Sequence, residues 1–323
     1  TPPIVLHNFM LAARESGITM QRFRTSPQAV ADSFIAAIEK YQYDGVLVDI
    51  DTATLAGALG APVDLPEDEP ARCVSGKLDS LSEVYELPPP DVGNYWGVEV
   101  WLEAVRKLRE YFGEEILIRG NCDQCPFSLA SMVRGAVPWM IDLMDDDNRE
   151  QVVELLEYCT EAALQFLKMM AEAGAHVLSN GDSPAGPDMI SPQMYRTFAL
   201  PYEQKVAEAA HEEGLPYVLH ICGNTGSILD DMLESGADGL EFDQKTDTRM
   251  AHDLLKDRVT FFGNIDPSGV LALGSTDLVE TRTRELLELF SDTPRFVLNA
   301  GCAIPASTPE ENIKTLIRVA REY

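Results

Sequence analysis

The chain has 323 residues, 45% apolar and 24% charged, with 25 Lys and Arg against 53 Asp and Glu for a formal charge of −28. This apolar content excludes a chain disordered as a whole, and the acidic balance excludes a nucleic acid or an acidic membrane surface as partner, since phosphate contacts need a positive footprint. No run of 18 apolar residues argues for membrane insertion, no basic segment precedes an apolar stretch at Thr1-Pro2-Pro3-Ile4 to act as a signal peptide, and six cysteines are too sparse for a secreted disulfide scaffold, which points to the cytoplasm.

Short β-branched runs alternate with long helical patterns, the grammar of a parallel sheet. Strands are expected near Ile4–Asn8, Gly45–Ile50, Ile116–Gly120, His176–Asn180, Tyr217–His220, Gly239–Phe242, Val259–Gly263 and Phe296–Asn299. Eight strands is the number of a (β/α)8 TIM barrel. Helices are expected over Pro27–Lys40 behind the N-cap Ser26, Val98–Phe112 ending before Gly113, and Arg149–Gly174. Further helices are expected over Ser191–Glu213, Thr225–Ser235, Thr276–Phe290 and Pro309–Arg321. Residues 54–92 carry six prolines and few helical spacings, and read as an insertion or lid over the barrel mouth, with a short hairpin near Cys73–Leu78. A second domain there is the alternative to a single barrel spanning 1–323.

A barrel displays its chemistry at the C-terminal ends of its strands. Those ends hold Asp49 and Asp51; Asn121, Cys122, Asp123 and Cys125; Asn180 and Asp182; His220, Cys222 and Asn224; Glu241 and Asp243; Asn264 and Asp266; and Asn299 and Cys302. His220 and Cys222 are two apart, so on extended backbone imidazole and thiolate leave the same face. Cys302 brings a second thiol and Glu241 a carboxylate from other strand ends. Zinc accepts this mixture of nitrogen, sulfur and oxygen. Glu241 is either a ligand or the group that orients His220 from behind. Cys122-Asp123-Gln124-Cys125 has CxxC spacing, but no second pair accompanies it, and buried structural thiols are the simpler reading. Asp182 and Asp266 sit in Gly- and Pro-rich loops, where a turn role competes with a role at the site. His7 closes a strand and is a pocket candidate.

At these segments the chain resembles the uroporphyrinogen decarboxylase superfamily. Asn121-Cys122-Asp123-Gln124-Cys125-Pro126-Phe127-Ser128-Leu129-Ala130 is similar to that family's Gly-x-Pro-Phe-Thr-Leu-Ala region. Ile190 to Tyr202 is similar to its Ser-Pro-x-x-Tyr…Pro-Tyr helix. Within the superfamily the chain resembles the corrinoid-linked methyltransferases more than the decarboxylases. Leu6-His7-Asn8-Phe9-Met10-Leu11-Ala12-Ala13-Arg14 lacks the Arg-Gln-Ala-Gly-Arg segment that holds porphyrin carboxylates, and Asp49 stands without basic partners.

The resemblance implies a Zn2+ enzyme that moves a methyl group from methylcobalamin, carried by a partner corrinoid protein, to a small thiol such as coenzyme M. His220, Cys222 and Cys302 map onto the zinc ligands of that branch, and Glu241 fits the glutamate of the more distant cobalamin-independent methionine synthases. Asp182 joins His220, Cys222 and Cys302 as a catalytic candidate, and Asn121, Asn180, Asn224 and Asp266 are candidate contacts for the cofactor. Arg14, Arg119 and Arg134 are the cations considered for a sulfonate. The alternatives are demethylation of a small methylated substrate, a pterin acceptor, or a porphyrinogen decarboxylase.

Overall fold

Eight parallel strands form one sheet: β1 (Val5–Leu6), β2 (Gly45–Val48), β3 (Leu117–Gln124), β4 (Val177–Gly181), β5 (Tyr217–Ile221), β6 (Gly239–Phe242), β7 (Thr260–Ile265) and β8 (Phe296–Ala300). The computed structural model describes residues 1–323. Strands adjacent in sequence pair in register order, and a parallel bridge between Ile4 and Leu298 joins the first edge to the last. The sheet is therefore closed, and with helices after its strands it is a (β/α)8 TIM barrel. No helix is long and apolar enough to cross a membrane.

Alternation along the strands sorts the side chains into two environments. Leu6, Val46, Ile118, Leu178, Leu219, Leu240, Phe261 and Leu298 face the helices and belong to the main core. Val5, Leu117, Val177, Val218, Phe262 and Val297 face inward and form a separate apolar plug inside the barrel. One step further along each strand the inward residues turn polar. Arg119, Ser179, His220 and Glu241 stand two residues beyond Leu117, Val177, Val218 and Gly239, with His220 paired to Glu241 across the β5–β6 register. The plug closes the barrel beneath this polar layer, so water reaches it only from the C-terminal mouth.

Several expected elements differ in detail. The helix expected over Ser191–Glu213 is two helices, Pro192–Phe198 and Leu200–Glu212. Pro201 has no N–H to continue the first, and its ring crowds the preceding turn. The helix expected over Thr225–Ser235 shrinks to Leu229–Leu233. Its first residues are held as a turn, with Gly226 N–H on Asn224 Oδ1 (3.1 Å) and Thr225 N–H on Thr246 Oγ1 (2.9 Å). The hairpin of the 54–92 segment pairs Val63–Asp64 with Arg72–Cys73 instead of lying at Cys73–Leu78. Lys77 and Leu78 give their N–H groups to the Val133 carbonyl (2.7 and 3.1 Å), which docks that stretch on the helix after β3. Leu55, Leu59, Leu78, Leu81, Val84 and Val92 of the segment enter the main core.

Candidate metal centre

Three donors converge where β5 and β8 end. His220 lies near the end of β5, Cys222 follows its last residue, and Cys302 arrives from the loop after β8. Their donor atoms all lie within 4.8 Å of one another. His220 Nε2 stands 3.0 Å from Cys222 Sγ, and Cys222 Sγ stands 3.7 Å from Cys302 Sγ. Two sulfurs at about 2.3 Å from a tetrahedral zinc are about 3.8 Å apart. The thiols therefore already hold the spacing such an ion needs. Three protein donors would leave a fourth position free on a tetrahedral ion held there.

Backbone clamps set this geometry. Cys222 N–H donates to Ser183 Oγ (3.3 Å), and Gly223 N–H donates to Asp243 Oδ2 (2.7 Å). Gly223 has φ of +92°, and a Cβ there would stand 2.6 Å from Asp188 Oδ2, so the turn after Cys222 requires glycine. Gly301 N–H donates to the Ile265 carbonyl (3.0 Å). A Cβ on Gly301 would stand 2.7 Å from Asp243 Cα. Its absence lets the β8 loop close in and bring Cys302 beside Cys222.

Glu241 does not join the converging donors. Its carboxylate forms a fully buried ion pair with Arg119 and accepts from Asn299 Nδ2 (3.1 Å). Oε1 lies 3.9 Å from His220 Nδ1, which is buried and has no hydrogen-bond partner. At that distance Glu241 acts on the ring by its charge, and a carboxylate behind Nδ1 favours the tautomer that presents Nε2 to a metal. Among the protein groups alone, burial pulls the His220 imidazole down, but the Cys222 sulfur and Glu241 outweigh it and lift it to about 9. The contact with Cys302, together with the charge of His220, pulls the Cys222 thiol down, and the same contact with Cys222 holds the Cys302 thiol well up. These shifts favour the thiolate on Cys222, the form a metal binds.

The centre opens into a cavity of about 270 Å³ at the strand ends. Asn121 and Asn180 line it, and Pro70 of the 54–92 segment reaches it. Three other expected site residues lie outside. Asp182 is fully buried, accepting from the N–H and hydroxyl of Ser128 (2.9 and 2.5 Å) and facing Glu203, which in turn accepts from the Tyr195 hydroxyl (2.5 Å). It braces the loop that carries Ser183, and so acts on Cys222 through backbone. Asn224 closes the turn at Gly226. Asp266 accepts the N–H groups of Ser268 and Gly269 (2.9 and 2.8 Å) as a helix cap. Arg14 and Arg134 also lie elsewhere: Arg14 binds the Ala306 carbonyl (2.6 Å), and Arg134 ties Asp142 (2.7 Å) to the Leu78 carbonyl (3.0 Å). Arg119 does line the cavity, with its charge balanced by Glu241.

The CxxC spacing comes from a bulge in β3, where pairing steps from Asn121–Ser179 to Gln124–Gly181. Cys122 and Cys125 are fully buried, and burial pushes both thiols up. Neither thiol is exposed to a partner in solvent. Asp123 occupies the bulge at φ of +60°, receiving Leu55 N–H (2.7 Å).

An acidic end of the cavity was only partly legible in the sequence. His7 Nε2 stands 2.6 Å from Asp49 Oδ2, and Asp51 and Asp123 lie beside them. Burial lifts the Asp51 carboxyl to about 6 and the Asp123 carboxyl well up. The signal was the two-residue spacing of Asp49 and Asp51 at the end of β2, the same spacing that marks His220 and Cys222.

Comparisons with known proteins agree with this architecture. A methylcobamide:CoM methyltransferase MtbA of Methanosarcina acetivorans is 33% identical over 222 residues, 69% of this chain and 63% of that protein; the match thus spans under two thirds of that relative. A methylcobamide:CoM methyltransferase MtaA of Methanosarcina barkeri is 29% identical over 313 residues, 96% of this chain and 88% of that protein. The solved structure of a methyltransferase from Methanosarcina mazei superposes with a TM-score of 0.89 at 26% identity, covering 99% of this chain and 94% of that one. The family described as uroporphyrinogen decarboxylase (URO-D) matches residues 2–323, and the chain belongs to that family.

Proposed function

We propose that the protein is a corrinoid-dependent methyltransferase in which a zinc ion held by His220, Cys222 and Cys302 prepares a small thiol to take a methyl group from a methylated corrinoid protein. The observation that carries this reading is the convergence of one imidazole and two thiols within 4.8 Å of one another, the two sulfurs at the spacing of zinc ligands. When bound, zinc supplies the charge that keeps an incoming thiol deprotonated near neutral pH. The chain does the rest. Glu241 and Arg119 fix His220, the Ser183 and Asp243 clamps hold Cys222, and the apolar plug bars water from below. In the transfer a cobalt–carbon bond breaks, a carbon–sulfur bond forms, and the electron pair of the broken bond stays on cobalt.

The relatives named above support a corrinoid partner. We read residues 54–92 as a lid within a single barrel, positioned to meet that partner at the mouth. The six cysteines are all unpaired, which fits a reducing cytoplasm. Decarboxylation of a porphyrin polycarboxylate fits less well, because the cavity's one arginine is already paired.

The test is methyl transfer from free methylcobalamin to 2-mercaptoethanol, followed by loss of methylcobalamin absorbance and by mass of the thioether. Zinc-loaded protein should turn over, while metal-stripped protein and Cys302→Ser should not. Equal rates in all three, or conversion of a porphyrinogen instead, contradict the reading.

A further inference from the structure

The metal centre takes its residues from β5 and β8, and the acidic end of the same cavity lies on β1, β2 and β3, the first of which neighbours β8. The cavity's one arginine, Arg119, is committed to Glu241, and the His7 imidazole is engaged by Asp49 at 2.6 Å. Neither Asp51 nor Asp123 forms an ion pair; their protein donors are neutral groups. Arg24 acts on Asp51 by its charge alone, while its Nη1 and Nη2 donate to the carbonyls of Pro66 and Glu69. Asp51 is more than nine-tenths buried and lines the cavity. Its Oδ1 receives Ala53 N–H (2.9 Å) and Thr54 Oγ1 (3.0 Å), and its Oδ2 receives no donor from the protein. Asn180, also buried and lining the cavity, donates Nδ2 to the Cys122 carbonyl (2.6 Å), and its Oδ1 has no partner. Buried acceptors without donors are rare, and they mark where a ligand or water supplies the hydrogen.

We propose that the thiol taken into this cavity carries an ammonium group at its far end, seated against Asp51 and Asn180, rather than the sulfonate of coenzyme M. The inference rests on the thiol-methylation reading above and names the acceptor's charge. An ammonium brings three donors and a positive charge to acceptors that lack both. A sulfonate brings negative charge to Asp51 and finds no lysine or unpaired arginine in the cavity lining. The cavity's size suits a thiol of a few carbons.

Three two-carbon thiols differ only in that end group: 2-aminoethanethiol, 2-mercaptoethanol and 2-mercaptoethanesulfonate. Their binding to zinc-loaded protein is measured by titration calorimetry, and methyl transfer to each is measured separately. The amine should bind at least about tenfold tighter than the sulfonate, a difference of about 1.4 kcal/mol. In Asp51→Asn this amine-to-sulfonate ratio should fall at least about tenfold; because the comparison is a ratio between variants, the thiols' own acidities cancel. A sulfonate bound as tightly as the amine, or a ratio unmoved by Asp51→Asn, overturns the proposal. Amine-selective binding with no methyl transfer to any of the three upholds the charge preference and contradicts the thiol-methylation reading.

Discussion

Glu241→Gln removes one charge from an ion pair whose two side chains are each 1% exposed. Gln keeps an acceptor for Asn299 but leaves the Arg119 guanidinium buried without a counter-charge. Breaking a buried pair from one side costs about 3–5 kcal/mol. The same change weakens the support behind His220, and loss of such a partner lowers metal affinity roughly 10–100-fold. The double variant Arg119→Met, Glu241→Met separates the two effects. It removes both charges and leaves Asn299 Nδ2 as the main unsatisfied group, at a cost of about 1–3 kcal/mol. Unfolding in guanidinium should show the single variant strongly destabilised and the double variant recovered by a few kcal/mol. Zinc affinity, read by competition with a chromogenic chelator, should stay low in both. A double variant no more stable than Glu241→Gln refutes the buried-pair argument. Wild-type zinc affinity in either variant refutes the role assigned to Glu241 behind His220.

Cys302→Ser should lower zinc affinity by orders of magnitude while far-UV circular dichroism stays unchanged; normal zinc content after dialysis removes Cys302 as a ligand. Asp51 binds its proton more tightly folded (about 6) than at its ordinary 3.8, so the stability this contributes is present below 3.8 and is lost as pH rises through 6. The displacement amounts to on the order of 3 kcal/mol; Asp51→Asn should therefore flatten the decline in unfolding free energy between pH 4 and 6, and an unchanged slope contradicts the burial argument. Asp182→Ala leaves the Ser128 N–H and hydroxyl unpaired and should cost about 1–3 kcal/mol of stability, visible as a lower thermal midpoint. Iodoacetamide on metal-stripped, folded protein should label Cys222 first and spare Cys122, Cys125 and Cys159, as read by peptide mass spectrometry, because those three are fully buried; early labelling of Cys122 or Cys125 reopens a redox role.

The strands were legible because each carries a compact apolar run with a polar terminus, and His220-x-Cys222 was legible because extended backbone turns a two-residue spacing into a shared face. The position of Cys302 followed from its place after the last strand. What stayed hidden depends on which atoms face one another across the barrel. Glu241 has the residue type and strand position of a ligand, and only the facing Arg119 reveals that its charge is already engaged. Asp182 carries the same polar signature as Asn180 one loop turn earlier, yet backbone curvature sends it down to Ser128 instead of into the cavity. Asn224 and Asp266 are turn and cap residues, a role identical in sequence to that of a site residue. The break at Ala199 has its sequence signal in Pro201, which the single helix expected over Ser191–Glu213 does not take into account.

The most direct test of the central claim is zinc K-edge X-ray absorption on the zinc-loaded protein, with and without the preferred small thiol. The account predicts one nitrogen and two sulfur ligands with a light fourth atom in the free enzyme, and three sulfurs once the thiol is added. A sulfur count that stays at two in saturating thiol, or a protein that holds no zinc under reducing conditions, contradicts it.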